Sequence, residues 1–339
     1  MADFRSDTVS RPTEAMRDAA RDADVGDMKR GEDPTVERLE RRLADRLGMT
    51  SAVFLPSGTM GNQASCRVHA KRGAEAIVDS RSHVYNSEYA GVSALSGIQP
   101  RPVDGERGIP SPDEIRSAAR INRKSDTALL ALENTHNWRG GLAIDPDRIA
   151  DAAATAREEG LAVHLDGARL FNAAVALDRP LEDFTRRVDS VMVSLSKGLG
   201  APVGSVVAGD EQFVAAVRDV RNRFGGGLRQ AGLVAAPALR AIEGIDRLAA
   251  DHEHAAALAS GLSDLDGLAV QSPETNIVLV TVGHPEAQAG DLCDGLSAAD
   301  VLASQLDDRT VRFCTHHDVD ADDVASAVDA AERITSEWV

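Results

Sequence analysis

At 339 residues, with 54 acidic against 37 basic side chains and a formal charge of −17, this chain can bury a large core. Its field repels nucleic acid and anionic membranes. No apolar stretch approaches the length that spans a bilayer, and the opening Met1-Ala-Asp-Phe-Arg-Ser-Asp7 lacks the apolar core of a signal peptide, so a cytoplasmic location is expected. Lysine is scarce, with four (Lys29, Lys71, Lys124, Lys197) against 33 arginines. That bias beside the acidic excess reads as a halophilic surface, adapted to high internal salt that screens the self-repulsion. A GC-rich genome is the other source of arginine over lysine.

The segment Asp3-Phe-Arg-Ser-Asp-Thr-Val-Ser10 reads as an extended arm, and Arg11-Pro12-Thr13 opens a helix. After Gly31-Glu-Asp-Pro34 a second helix runs to about Leu47, with apolar positions at Val36, Leu39, Leu43 and Leu47. A buried strand at 52–55 leads through the turn Pro56-Ser-Gly-Thr59 into a helix ending near Arg72. Further strands are expected at 76–79, 98–103, 128–133, 161–166, 190–194 and 203–208, with helices at 112–120 and 146–160 between them. A long helical region, 229–262, precedes a final segment with strands near 268–271, 277–282 and 311–314 and helices near 285–297 and 320–338. The alternation predicts an α/β fold with a mainly parallel sheet flanked by helices, followed by a smaller C-terminal α+β domain. The expected division is a large domain, 1–240, that carries the arm, and a small one, 241–339.

Three scattered cysteines (Cys66, Cys293, Cys314) have no metal-ligand spacing and read as buried thiols, so no metal site is expected. His252 and His254 stand two apart in a helical stretch, which points their rings to different faces of a solvated helix.

The chemistry concentrates at two strand ends. The apolar run Ser190-Val-Met-Val-Ser-Leu-Ser196 delivers Lys197 to a glycine-broken turn, Gly198-Leu-Gly-Ala-Pro-Val-Gly204. There desolvation lowers an amine pKa, as a Schiff-base lysine requires. A second run, Leu161-Ala-Val-His-Leu-Asp166, ends on Asp166, followed by Gly167-Ala-Arg169. A strand-end carboxylate that keeps a pyridinium protonated, beside a strand-end amine that carries an aldehyde, is what a pyridoxal 5′-phosphate site needs. Taken singly, Asp166 reads as a helix cap and Lys197 as a surface lysine; together they point to the cofactor. Ser57-Gly58-Thr59, between a strand and a helix, offers free N–H groups and hydroxyls to its phosphate, and Ser194 and Ser196 are further donors.

The chain resembles the low-specificity L-threonine aldolases of the beta-eliminating lyase family, pyridoxal-phosphate enzymes of the aspartate-aminotransferase fold (fold type I). The matching stretches are Phe4-Arg-Ser-Asp-Thr-Val9, Gly31-Glu-Asp-Pro-Thr35, Leu55-Pro-Ser-Gly-Thr59, Glu133-Asn-Thr-His-Asn137, His164-Leu-Asp-Gly-Ala-Arg169, the glycine-rich run around Lys197, Gly225-Gly-Gly-Leu-Arg-Gln230 and Val311-Arg-Phe-Cys-Thr-His316. They stand in family order along nearly the whole chain. The resemblance implies cleavage of L-threonine or L-allo-threonine to glycine and acetaldehyde. Lys197 would carry the cofactor, Asp166 would pair with its ring nitrogen, and His83 would stack on the ring. Gly58 and Thr59 would bind phosphate together with Arg229 from a neighbouring subunit, and Ser6, Arg169 and Arg312 would hold the substrate carboxylate. A homo-oligomer follows, a dimer at least and a tetramer by resemblance. A planar guanidinium grips a carboxylate through two parallel hydrogen bonds, and that grip decides which Cα bond breaks. His83 is also flat and basic enough near neutral pH to move a proton. His136 either orients groups around the ring's 3-oxygen or braces its loop.

Two departures concern the substrate. Gly26-Asp-Met-Lys-Arg-Gly31 places Arg30 where the family usually has a tyrosine, and residues 121–127 lack a second histidine that many members carry. Arg30 either adapts the pocket to a polar or anionic β-substituent, as in 3-hydroxyaspartate, or turns outward to an acidic neighbour. Another pyridoxal-phosphate β-lyase is the alternative activity.

Overall fold

The structure is a computed structural model that describes residues 1–121 and 125–338. Asn122, Arg123 and Lys124, in the run read above for its missing histidine, lie outside the described residues.

The arm opens with β1 (Ala2–Asp3). The large sheet is built from β2 (Ser51–Leu55), β3 (Glu75–Asp79), β4 (Gln99–Val103), β5 (Thr127–Glu133), β6 (Ala162–Gly167), β7 (Ser190–Ser194) and β8 (Ser205–Gly209). Among the described residues their order is β2-β8-β7-β6-β5-β3-β4. Neighbours from β7 through β4 pair in parallel, whereas β8 runs antiparallel to both β7 and β2. The central strands are buried on both faces, which is why they read as continuous apolar runs rather than alternating ones. Parallel pairing brings the carboxyl ends of β3, β5, β6 and β7 to one edge.

The helix Gly58–His69 packs on this sheet closely enough that a Cβ at Gly61 would lie 2.7 Å from Met192 Cγ. Helix Pro34–Arg46 starts where predicted: Asp33 accepts from the Thr35 and Val36 amides, and Pro34 occupies the first turn. The expected helical region 229–262 is broken. Gly232–Ala241 ends at Ile242, Gly244 opens a tight turn, and Leu248–Ser263 starts afresh.

The C-terminal segment forms a four-stranded antiparallel sheet in the order β12 (Ser304–Gln305), β13 (Thr310–Cys314), β10 (Ile277–Val282) and β9 (Leu268–Val270). Helices Leu248–Ser263, Ala289–Ala298 and Ala321–Ser336 complete its core around Leu258, Leu262, Val278, Leu292, Phe313 and Val324. The arm joins this second core, although sequence grouped it with residues 1–240. β1 pairs in parallel with β11 (Val301–Leu302), and Phe4 packs edge-on to Phe313 with ring centres 6.0 Å apart. Two-residue strands such as β1, β11 and β12 are too short to show a period in sequence.

Candidate active site

The predicted strand-end pair shares one site. Asp166 is buried at the end of β6, where Oδ1 accepts from the Ala168 amide at 3.0 Å and Oδ2 from Asn62 Nδ2 at 2.7 Å. Lys197, half-buried in the turn after β7, has its amine pKa lowered by desolvation first and by the Arg169 cation second. Asp166, Asp7 and Glu133 act on it in the opposite direction.

His83 starts the short helix His83–Asn86, and its amide donates to Glu133 Oε2 at 2.6 Å. Its ring, 27% exposed, sets Nδ1 3.1 Å from Glu88 Oε1. Burial works against the imidazolium, but the Glu88 hydrogen bond and the Asp166 charge outweigh it and raise the His83 pKa. Ligand-type atoms of His83, Glu88 and Asp166 lie within 4.8 Å of one another. Amide hydrogens of Asn62 and Gln63 already point at the carboxylate oxygens, which suits an organic cation or ring N–H better than a metal.

At the helix start, Ser57 Oγ accepts from the Met60 amide at 3.2 Å, a side-chain cap. The amides of Gly58 and Thr59 donate to no described residue, so they remain open to an anion at the positive end of the helix dipole. Ser194 is buried at the end of β7 in register with Ser205, and Ser196 is half-buried beside Lys197.

A corner of arginines completes the site. Arg169 is buried and bidentate on Asp7, Nε to Oδ2 at 2.8 Å and Nη2 to Oδ1 at 2.7 Å, while its Nη1 reaches Asn137 Oδ1 at 3.0 Å. Burial alone would raise the Asp7 carboxyl, but Arg169 holds it down at about 2, and Asp7 in return raises the Arg169 pKa against its own desolvation. Arg312, on β13, donates to the same Asn137 oxygen at 3.4 Å and to the Arg5 carbonyl at 3.1 Å. Its buried Nε has no partner among the described residues. Burial and then the nearby Arg169 lower the Arg312 pKa. Two cations facing one internal carboxylate leave room for a second anion. Ser6 stands at the entrance, where its hydroxyl caps the turn Asp7–Val9.

Not every predicted residue comes to this place. Within one chain Arg30 is turned outward, its side chain 73% exposed and Nε 3.9 Å from Asp27 Oδ2. Arg229, 59% exposed, donates to the same Asp27 oxygen at 2.8 Å and within one chain stays on the surface. His136 is wholly buried with Nε2 3.0 Å from Asp79 Oδ1, where Arg139 also binds, so it braces the loop. His252 is not solvated: its Nε2 meets Asn172 Oδ1 at 3.0 Å, and burial lowers its pKa to about 4. Sequence reasoning missed Asp7, Asn137, Asn62, Glu88 and Glu133. Asp7, Asn137 and Glu133 lie inside quoted motifs, where proximity to Arg5-Ser6 and His136 was the available signal; Asn62 and Glu88 carried none.

A half-buried strand-end amine within electrostatic reach of a buried strand-end carboxylate and of Arg169 is the arrangement of a cofactor-assisted amino-acid lyase in class. A profile of the beta-eliminating lyase family matches residues 3–285. A probable low-specificity L-threonine aldolase 2 from Arabidopsis thaliana is 40% identical, covering 98% of this chain and 96% of the relative. The low specificity L-threonine aldolase of Escherichia coli K12 is 39% identical, over 96% of each. Among solved structures, the threonine aldolase of Leishmania major superposes with a TM-score of 0.82 at 20% identity, covering 99% of this chain and 100% of that one. A putative L-allo-threonine aldolase from Listeria monocytogenes gives 0.79 at 23% identity, covering 94% and 92%. At those identities the structures speak for the fold. The chain belongs to the beta-eliminating lyase family.

Proposed function

We propose that this protein is a pyridoxal 5′-phosphate-dependent carbon–carbon lyase that cleaves L-threonine, L-allo-threonine and related β-hydroxy amino acids to glycine and an aldehyde. The observation that carries the reading is the depressed amine of Lys197 facing buried Asp166 beneath the Arg169–Arg312 corner. The residues present fit the cofactor: a strand-end carboxylate, an amine poised to lose its proton and two unpartnered amides at a helix start. When bound there, the cofactor supplies an aldehyde for the amines and an electron-poor ring that accepts the electron pair of a broken Cα bond.

Burial and the Arg169 cation lower the Lys197 amine pKa, the direction a nucleophilic amine requires. Asp166 would pair with the ring nitrogen. Gly58, Thr59, Ser57, Ser194 and Ser196 would hold the phosphate, with Arg229 contributed by a second copy of the chain; its exposure on a surface ledge supports that reach. Arg169 and Arg312 grip the substrate carboxylate with Ser6 at the rim, so the Cα–Cβ bond is the one aligned for cleavage. His83 Nε2 takes the β-hydroxyl proton as that bond breaks; the aldehyde departs, and Cα regains a proton to give glycine.

Several finer readings belong with this proposal. The protein is a homo-oligomer, a dimer at least and a tetramer by resemblance. It works in the cytoplasm at high internal salt, supported by the charge of −17 and the four lysines. A division near residue 240 is supported by the separate core around Leu258, Phe313 and Val324, with the arm packed on it, although the large sheet's core extends to Leu248. The outward Arg30 supports threonine over 3-hydroxyaspartate.

With L-threonine, the loaded enzyme is expected to release glycine and acetaldehyde in equal amounts. Ammonia with a keto acid would instead identify a β-eliminating enzyme. Lys197→Ala is expected to abolish the cofactor's visible band and lower kcat by about 1000-fold or more; a variant that keeps both would overturn the assignment.

A further inference from the structure

We infer that Glu88 and Asn62 are positioning residues that lock His83 into the tautomer with a free Nε2 and tie it to the Asp166 end of the site. The inference rests on the reading of His83 as the proton carrier.

Glu88 follows His83 by five residues, and its carboxylate is 0% exposed. Three donors converge on it: His83 at Nδ1, Asn62 Nδ2 at 2.8 Å on the same Oε1, and Gln63 Nε2 at 2.5 Å on Oε2. The second hydrogen of the Asn62 amide goes to Asp166 Oδ2 at 2.7 Å. One amide therefore spans two buried carboxylates, one aimed at the expected ring nitrogen and one at His83.

The rest of the network fixes which way that amide points. With both Nδ2 hydrogens committed to carboxylates, Asn62 Oδ1 must accept, and His164 Nε2 stands 3.1 Å from it. His164 Nδ1 is then the acceptor for the Ser190 hydroxyl at 2.8 Å, and that oxygen accepts from His69 Nε2 at 2.7 Å. Burial lowers His164 to about 3 and His69 to about 4, so both rings are neutral and each has one hydrogen to give. Donation runs one way, His69 to Ser190 to His164 to Asn62 to the carboxylates, and every polar atom on the path is satisfied. A flipped Asn62 would set its oxygen against two carboxylates and its amide against a donor.

For His83 the consequence is direct. Glu88 offers only acceptors, so Nδ1 carries the hydrogen and the lone pair sits on Nε2. The other charged groups that face His83 are Asp166 and Lys197, with Glu133 on its backbone amide. Among the described residues Glu88 is the one hydrogen-bonded to the ring, so it decides the tautomer.

The test uses the full-length protein with 15N-labelled histidine. In the cofactor-free wild type, long-range 1H–15N spectra, assigned with His83→Asn, are expected to show neutral His83 as the Nδ1–H form. A dominant Nε2–H form would overturn the inference without any variant of Glu88. In Glu88→Gln the Nδ1–H bond keeps a neutral acceptor but loses the charge, so the His83 proton affinity is expected to fall about tenfold. In the loaded enzyme the acid limb of log(kcat/KM) then moves to lower pH by about one unit, because the base must be neutral to act. A merely structural Glu88 would lower melting temperature and rate while leaving both the His83 titration and the limb unmoved, and that outcome sinks the inference. Full threonine cleavage by His83→Asn would sink the proton-carrier reading, and the tautomer measurement still decides the bridge.

Discussion

The two ends of the site are built by opposite means. The floor is drawn from the end of β6 (Asp166), the helix Gly58–His69 (Asn62), the short helix His83–Asn86 (His83) and the bend after it (Glu88), and amide hydrogens satisfy its carboxylates. The arginine corner is assembled from the arm, the loop after β5, the turn after β6 and strand β13, and it holds two guanidiniums against one carboxylate. In the floor every carboxylate is hydrogen-bonded, although Gln63 Oε1 beside Glu88 is buried without a described partner. In the corner it is a cationic donor, Arg312 Nε, that is buried without one. One end has its charges hydrogen-bonded before any ligand arrives, and the other carries an excess of positive charge that, under the proposed function, a substrate carboxylate would balance.

The sharpest way to break this contrast is Asp7→Asn. The amide keeps the shape but strips Arg169 of its buried counter-ion, and about 3–5 kcal/mol of stability is expected to go in urea unfolding at pH 7. The pH dependence checks the cause. Asp7 lies at about 2 in the folded protein against an ordinary 3.8. Its contribution is therefore full above the ordinary value and is lost as pH falls towards 2, so the gap between wild type and variant should narrow below about pH 4. A gap that stays constant down to pH 3 would show that Asp7 serves packing rather than charge.

The floor and the corner also differed in how far sequence exposed them. Lys197 and Asp166 were legible because parallel strands buried on both faces read as continuous apolar runs, and the charged residue that ends each run stands out. Asp7 and Asn62 were not. Their partners lie 162 and 104 residues away, and nothing local distinguishes an aspartate in an arm or an asparagine on a helix from a solvated one. Arg169 and Arg312 were named through the resemblance, but their shared use of Asn137 appears only once β13 is folded against the large sheet's edge. The arm's packing was hidden for the same reason: Phe4 and the pairing of β1 with β11 join it to the second core across about 300 residues of chain.

A smaller effect tests the floor. His164 stays neutral in the fold at about 3 against an ordinary 6.5, with burial as the leading cause. The unfolded chain binds a proton below about pH 6.5 that the native one refuses, so stability is full above that value and falls as pH drops towards 3. The slope for one such ring is about 1.4 kcal/mol per pH unit. Denaturant unfolding between pH 7 and 5 should show it, and His164→Gln should remove one proton's worth of slope. An unchanged slope in that variant would mean that His164 is charged in the native state, and the one-way donation through Asn62 could not hold.

The smallest expected effect concerns two arginines outside both ends. Arg30 and Arg229 share Asp27, at 3.9 and 2.8 Å, on one exposed ledge. Proximity alone would give them the same role. The proposed function gives Arg229 a neighbour's phosphate, as the family resemblance implies, whereas Arg30 has a long, solvated ion pair worth about 0–1 kcal/mol. Arg30→Tyr is therefore expected to leave the ratio of kcat/KM for threonine over 3-hydroxyaspartate within about twofold, while Arg229→Ala weakens retention of the cofactor. If Arg30→Tyr instead moved that ratio tenfold against 3-hydroxyaspartate, the ledge would belong to the substrate site, and the corner would have a third cation that the single chain does not reveal.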